Sequence, residues 1–371
     1  MERVMSVMSY NVLAQVHIGK RYAALGEEVT SWDVRRPKIL DEILRLGPDV
    51  AACQEMPIPK FQADLASPLA AAGYTAILQN DKNRAETHET ANAIIFRSDL
   101  FELAYENHRS RTLVVALLPR FGPAAVIPGM DHIAAAQDEA EARVRTAAAT
   151  KVADAGANAP PPDKRALKKL AKEVKTARNK AARAMRSAMA PHLVWLVCCH
   201  LQGHPAEVNT RLSQVRSSLH KGVLAGARTF DAAATLANLR LVYCGDFNDE
   251  ADSLVYKLMV TGSVDAGEVQ TFDGFDDVVV GKAATHDASL VSSYAHCTGT
   301  EPTVTFKAPN MRTSTIDFVF AALPHLRPLM VFDRLSTPEA IADVIRTSLP
   351  SAEHPSDHLP VCAVIELLAR V

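Results

Sequence analysis

The chain has 371 residues, of which 48% are hydrophobic and 22% charged, and its net charge is −2. That length can bury a large core, and that balance excludes a global electrostatic demand for nucleic acid or anionic membrane, so any cationic surface must be local. The longest uninterrupted apolar run, Leu193 to Cys199, is far too short to cross a bilayer, and no membrane partner is expected. Six cysteines (Cys53, Cys198, Cys199, Cys244, Cys297, Cys362) lie mostly in apolar runs without a CxxC pair. They read as reduced core residues, and with a strand-like start in place of a leader pattern they imply an intracellular protein, cytoplasmic first and nuclear second.

Residues 3–10 read as a strand that delivers Asn11 to its end. Residues 33–46 carry Ile39, Leu40, Ile43 and Leu44 between charges, which predicts an amphipathic helix. Asp33 is its N-cap or first-turn acid, and Gly47-Pro48 stops it. Asp49 to Cys53 is a short buried strand with Gln54-Glu55 just past its end. Residues 57–72 read as helical. Tyr74 to Leu78, Ala91 to Phe96 and Leu113 to Leu118 read as strands. The loose alternation predicts an α/β layered sandwich with mixed sheets.

From about residue 120 to 190 the composition turns alanine-rich and charged. Asp131 to Asp154 and Lys164 to Met189 are helix-favouring, separated by a Gly/Pro-rich break at 156–163. The expected form is a helical hairpin inserted between two strands of a single domain spanning 1–371. Its second arm carries ten Lys/Arg against two acids between Asp163 and Arg186. That arm is either a solvated helix or a basic surface for an RNA or protein partner.

Leu193 to Cys199 resumes the core as a strand ending at His200, and Gly203-His204-Pro205 forms a turn. Glu207 to Leu224 reads as an amphipathic helix. Leu239 to Cys244 is a buried strand stopped by Gly245, and strand alternation puts Asp246 and Asn248 on one side. Ser253 to Val260 is a short helix, and 262–300 a long surface connection. Thr313 to Phe320 is a strand with Asp317 inside it, and Leu359 to Leu367 a terminal strand after Asp357-His358. Apolar strands that repeatedly end in Asn, Glu, His and Asp place costly polar groups along one sheet edge, which points to a site.

The ordered set Ser9-Tyr10-Asn11-Val12-Leu13-Ala14-Gln15, Gln54-Glu55, His200-Leu201, Gly245-Asp246-Phe247-Asn248, Ile316-Asp317-Phe318 and Ser356-Asp357-His358 resembles the endonuclease/exonuclease/phosphatase superfamily. Ser31-Trp32-Asp33-Val34-Arg35-Arg36, together with Pro205, Arg211 and Gln214, resembles its deadenylase branch. The resemblance implies a four-layer α/β sandwich, two mixed β-sheets flanked by helices. It also implies a Mg²⁺-dependent phosphodiesterase, with Mn²⁺ as a substitute. The favoured activity is a 3′→5′ exoribonuclease that releases nucleoside 5′-monophosphates from single-stranded RNA, such as poly(A). The alternatives are hydrolysis of a nucleotide 2′-phosphate or 2′,5′-oligoadenylate, and an inactive RNA-binding protein.

Carried over by position, Glu55 is the main metal ligand, assisted by Asn11, with Asp357 supporting a second metal. Asp246 activates water, and Asn248 holds the phosphate or the nucleophile. His358 binds the scissile phosphate, Asp317 orients His358, and His200 faces the phosphate from the opposite side. Pro205, Phe306 and Asn92 line the substrate. The loops near Asn92 and Phe306 depart from the branch pattern, which leaves base preference open.

Overall fold

The computed structural model describes residues 4–80, 89–154, 163–272, 274–332, 334–335 and 337–369. The strands that matter here are β1 (Val4–Asn11), β2 (Val50–Pro57), β3 (Tyr74–Leu78), β4 (Thr90–Arg97), β5 (Phe101–His108) and β6 (Thr112–Pro119). They continue with β7 (Val194–His200), β8 (Arg240–Asp246), β9 (Leu290–Ser292), β10 (Asp317–Ala322), β11 (Leu326–Phe332) and β12 (Val361–Leu367). Two six-stranded sheets result, in the orders β11-β12-β1-β2-β4-β3 and β9-β10-β8-β7-β6-β5. Both are mixed: β1 runs parallel to β2 and β7 parallel to β8, while the other neighbours are antiparallel.

Unbroken apolar strands are the signature of burial on both faces. In β7, Val194, Leu196 and Cys198 enter the core between the sheets, while Trp195, Val197 and Cys199 pack under the helices outside. The first sheet is covered outside by α1 (Trp32–Leu46) and the turns after β2. The second is covered by α4 (Val208–Ser217) and its continuation, and by α5 (Leu254–Thr261). Three stacked cores therefore make four layers.

The hairpin is formed by α2 (His132–Asp154) and α3 (Lys164–Met189), joined by Arg178, which bridges Asp138 and Glu141 at 2.7 and 2.8 Å. The break expected at 156–163 lies mostly outside the described residues. Ala124, Ile133, Ala182 and Met189 root the hairpin in the outer core of the second sheet. It leaves from the end of β6 and re-enters at the start of β7. His200 lies at the other end of β7, roughly 20 Å away at about 3.3 Å per residue.

Several expectations are corrected. The segment after residue 57 is not one helix but a 3₁₀ turn, a π-helical stretch and a short α-helix. β5, β11 and the helix Pro338–Thr347 have no counterpart in the sequence reading. Much of 262–300 is built into short ribbons, β9 and the helix Ser293–Thr298, because Leu290 and Ala288 bury in the core. β10 starts at Asp317 and does not enclose it.

Gly245 does not stop β8. The strand runs through it to Asp246, and its φ of 145° brings the backbone against β7. A Cβ there would lie 2.0 Å from the Cys199 carbonyl oxygen, so only glycine lets β7 and β8 meet at this level.

One buried cation organises the loop after β7. Arg211 is fully buried. It donates to Asp249 Oδ2 (3.0 Å) and to the carbonyls of Gln202 (3.0 Å), His204 (2.7 Å) and Pro205 (2.9 Å). Arg211→Ala leaves a buried carboxylate and three carbonyls without these donors. It is expected to cost about 3–5 kcal/mol, read as a lowered urea midpoint with an unchanged slope. A loss under about 1 kcal/mol would show that water replaces the guanidinium.

Candidate active site

The alternation of the strands assembles the site. In β1 the inter-sheet face reads Met5, Val7, Ser9, Asn11. In β7 it reads Val194, Leu196, Cys198, His200, and in β8 Val242, Cys244, Asp246. β10, running the other way, reads Ala321, Val319, Asp317. Each ladder thus turns polar at the same mouth of the inter-sheet core, through Ser9 and Asn11 in β1 and through a single last residue in the others. Asp317 and Asp246 are register partners across β10 and β8, as His200 and Asp246 are across β7 and β8.

Glu55 has the wrong parity for this face, since Ala51 and Cys53 point to the outer core. A bulge corrects it. Cys53 pairs with Ala93 but Met56 pairs with Ala91, so β2 carries one extra residue, and Glu55 takes φ 61°. A left-handed glutamate is uncommon and marks a constrained position.

At the mouth, Asn11 Nδ2 donates to Glu55 Oε1 at 3.1 Å and to Asp246 Oδ2 at 3.0 Å. Glu55 Oε2 accepts the Ala14 N–H at 2.8 Å. His200 Nε2 lies 3.9 Å from Glu55 Oε1 and 3.7 Å from Asp246 Oδ2, and His358 Nε2 lies 3.7 Å from the same Asp246 oxygen. The opposite ring nitrogen of His358, Nδ1, is 2.8 Å from Asp317 Oδ2. Asn11, Glu55, His200, Asp246, Asp317 and His358 therefore converge at this mouth.

The two histidines are electrically opposite. Burial pushes His200 down to about 4, with Glu55 opposing and the cations Arg111 and His358 adding to the effect, so it is neutral at pH 7. Burial also disfavours the His358 cation, but Asp317 overrides it and raises His358 to about 10. Burial pushes the Asp317 carboxyl up to about 6 while the His358 charge pulls it back. Asp246 is likewise raised by burial and restrained by His358, Asn11 and the Asn248 N–H.

Asp246, Asp317 and His358 offer ligand atoms within 4.8 Å of one another. Within this group His358 is hydrogen-bonded to Asp317 and ion-paired at 3.7 Å with Asp246. The hard-oxygen pair is Glu55 with Asp246, bridged by one amide. These donors fit a divalent cation of the Mg²⁺ or Mn²⁺ kind. The Asn11 carboxamide presents its nitrogen to them and its oxygen to the Leu13 N–H (3.0 Å), so it braces the two carboxylates.

Other expected residues stand outside this cluster. Asp357 is buried, and its Oδ2 accepts the Tyr22 hydroxyl. Asn248 is not an extended-strand partner of Asp246; its φ is 52°. Its N–H donates to Asp246 Oδ1 (2.8 Å) and its Nδ2 to the Leu201 carbonyl (3.0 Å). Asn92 is buried with its amide on the Arg111 carbonyl at 3.0 Å. The Pro205 carbonyl is held by Arg211. The Phe306 ring sits 4.8 Å from the His358 ring and pairs with His358 in a β-bridge.

The sequence reading missed Tyr22, Arg111 and Thr305. The Thr305 hydroxyl accepts the N–H groups of Ile316 and Asp317. It also missed what Arg35 does. Arg35 is buried and donates to Thr30, Val12 and Pro355 carbonyls at 3.0–3.1 Å, tying the end of β1 to the Asp357-His358 loop. A buried arginine in an otherwise amphipathic helix was the available signal.

The sequence profile described as the Endonuclease/Exonuclease/phosphatase family matches residues 8–358, a span that runs from β1 to His358. The chain belongs to this family. Among curated relatives, the CCR4-Not complex 3′-5′-exoribonuclease subunit Ccr4 of Saccharomyces cerevisiae is 24% identical over 380 residues, covering 99% of this chain and 39% of that protein. Carbon catabolite repressor protein 4 homolog 4 of Arabidopsis thaliana is 28% identical over 177 residues, 47% of this chain and 38% of that one. The chain thus spans about two fifths of the length of these relatives.

Among solved structures, ANGEL2, described as a 2′,3′-cyclic phosphatase in complex with adenosine-2′,3′-vanadate, aligns with a TM-score of 0.67 at 20% identity, over 99% of this chain and 96% of that one. The human Nocturnin catalytic domain with bound sulfate aligns with a TM-score of 0.52 at 17% identity, over 99% and 94%. Both likenesses are of fold, and they place this chain's two sheets and flanking helices in the architecture of the family.

The electrostatics can be read directly. The His358 imidazole should titrate near pH 10 by NMR, staying cationic below and losing its charge as pH rises through that value. In Asp317→Asn the carboxylate is gone and burial dominates, so the midpoint should fall by several units. A midpoint that stays near 10 in the variant would mean that Asp246 and Asp357 hold the charge without Asp317.

Proposed function

We propose that the chain is a metal-dependent phosphodiesterase that shortens single-stranded RNA from its 3′ end, one nucleoside 5′-monophosphate at a time. The observation that carries this reading is the convergence on Asp246 of a neutral histidine, a cationic histidine and a second carboxylate, all at one mouth of the core. Glu55 would hold the Mg²⁺, or Mn²⁺ in its place, with Asp246 beside it. When bound, the ion supplies positive charge for the phosphate oxygens and the leaving oxygen.

The residues divide the remaining work. Asp246 takes a proton from the attacking water, whose oxygen bonds to phosphorus as the bond from phosphorus to the 3′ oxygen breaks, and the departing 3′ oxygen takes a proton from solvent water. Asn248 orients Asp246 through its backbone N–H. His358 donates to a non-bridging phosphate oxygen where charge grows, and Asp317 keeps it cationic and aimed. His200, uncharged, donates from the other side without competing for the carboxylates. Phe306, beside His358, offers a face for the terminal base.

A second reading is supported by the fold likeness to ANGEL2, a 2′,3′-cyclic phosphatase. RNA with a 3′-hydroxyl end and RNA with a 2′,3′-cyclic phosphate end separate the two. Stepwise shortening of the first supports the exonuclease, and ring opening and phosphate loss from the second alone supports the other. Asp246→Asn should lower kcat/KM by about 10²–10⁴-fold. Glu55→Gln should lower it comparably and raise the Mg²⁺ needed. Full activity in either variant, with the fold intact, sinks the site.

For the hairpin we propose contact with the body of a long RNA, away from the chemistry. Lys164, Lys168, Lys172, Lys175 and Arg183 are exposed along α3 at helical spacing. No aromatic residue interrupts them, which suits phosphate backbone and not base reading. Replacing Lys168, Lys172 and Lys175 by Gln should reduce the slope of log affinity against log salt for a long RNA by about 2, at about 0.7 per lost contact. An unchanged slope leaves the hairpin to a protein partner.

A further inference from the structure

Beside the catalytic mouth lies a cleft that none of the expected site residues occupy. Its volume is about 410 Å³, and its walls are the first residues of β6 with the turn before it, and the exposed face of α4. Arg109, Arg111, Asn209, Ser213, Gln214 and Ser217 supply its chemistry. The lining holds two arginines, several hydroxyls and amides, and no carboxylate or aromatic ring. Glu207 reaches it only through the Thr210 hydroxyl.

The two sites share a wall. The His200 N–H donates to the Arg111 carbonyl at 3.0 Å, and the Asn92 amide donates to the same oxygen. This backbone contact sets the Arg111 side chain beside the mouth, where it feels the charges of Asp246 and Glu55. Arg111 is half-buried, and among the described residues its guanidinium makes one hydrogen bond, Nη2–H to Gln202 Oε1 at 2.9 Å. Arg109 uses Nε–H on Ser217 Oγ at 3.2 Å. Most of the N–H donors of the two guanidiniums are thus left for something in the cleft.

We propose that this cleft is a second phosphate subsite, which takes the phosphodiester next to the one being cleaved. The inference rests on the phosphodiesterase reading above. Paired guanidiniums with hydroxyls and amides around them match phosphate oxygens and ribose hydroxyls. The absence of an aromatic lining argues against a base pocket, and the absence of a carboxylate argues against a cation site. Phe306 lies on the His358 side of the mouth and the arginines on the His200 side. A chain with its terminal base against Phe306 would therefore run its next phosphate toward Arg111.

The test is a length series read as binding, in EDTA so that no turnover intervenes. Adenosine 5′-monophosphate, 5′-phosphorylated diadenylate and 5′-phosphorylated tetra-adenylate compete with a fluorescent hexa-adenylate on the intact protein. In the wild type, the step from one phosphate to two should strengthen binding about tenfold or more, as charge-assisted hydrogen bonds do. In R109Q/R111Q that gain should vanish, and in R109K/R111K part of it should return. The ratio is taken within each variant, so a general change in the mouth cancels.

A gain that persists in R109Q/R111Q, or no gain in the wild type, overturns the subsite. Hydrolysis with Mg²⁺ is measured separately. Cleavage without the length effect overturns the subsite alone. The length effect without cleavage leaves the subsite standing and removes the phosphodiesterase reading.

Discussion

One amide ties the acidic ends of the two sheets together. Asn11 ends the inter-sheet ladder of the first sheet, and its Nδ2 reaches Asp246 at the end of a ladder of the second. The same nitrogen holds Glu55, which the bulge in β2 has turned inward. Two carboxylates at the edge of a dry core repel one another and resist losing water. A shared donor offsets both costs without adding a charge, and it leaves the carboxylates ionisable and close together. His200, on the strand beside Asp246, is brought to the same mouth by that sheet packing.

The cationic side is built differently. His358 carries a charge in a place where burial alone would remove it, and Asp317 supplies the reason. Thr305 fixes the start of β10, and Arg35 fixes the loop that carries His358. The pair is therefore held from both chain directions, so its charge and its aim are set before a phosphate arrives. That preorganisation matters because a donor that must reorient during reaction loses most of its advantage. His200 completes the contrast: partly buried and without a carboxylate in hydrogen-bond contact, it stays neutral. One mouth thus holds both states of the same side chain, separated by what each touches.

Much of this is legible in the sequence. The ladders Met5-Val7-Ser9-Asn11 and Val194-Leu196-Cys198-His200 are period-two patterns with a polar last rung, and they place Asn11 and His200 correctly. Glu55 is evident as a strand-end acid, but its route to the site is not readable, because a bulge changes parity without a compositional mark. Strand alternation gives Asn248 the right neighbourhood for the wrong reason, since the chain has already turned left-handed there. Arg111 and Tyr22 are invisible because their importance arises from register across strands and from a loop, and neither leaves a local pattern. The short ribbons between 262 and 290 escape for a related cause: two-residue strands are fixed by partners and not by propensity.

The inserted hairpin shows what sheet topology can decide that composition cannot. A basic helix in a protein of this kind invites the idea that it grips the substrate at the site of chemistry. β6 and β7 are antiparallel neighbours, and the insertion joins the ends of these strands that lie farthest from His200. Its root is therefore set off from the catalytic mouth by the length of the strands. Arg109 and Arg111 occupy the opposite ends of the same strand pair and border the mouth directly. The chain thus carries two cationic surfaces of different kinds. One is compact, half-buried and shaped by a cleft, and it suits a single phosphate. The other is long, exposed and lysine-rich, and it suits a polyanion held loosely. Salt discriminates between them, since exposed lysines are screened far more than half-buried guanidiniums.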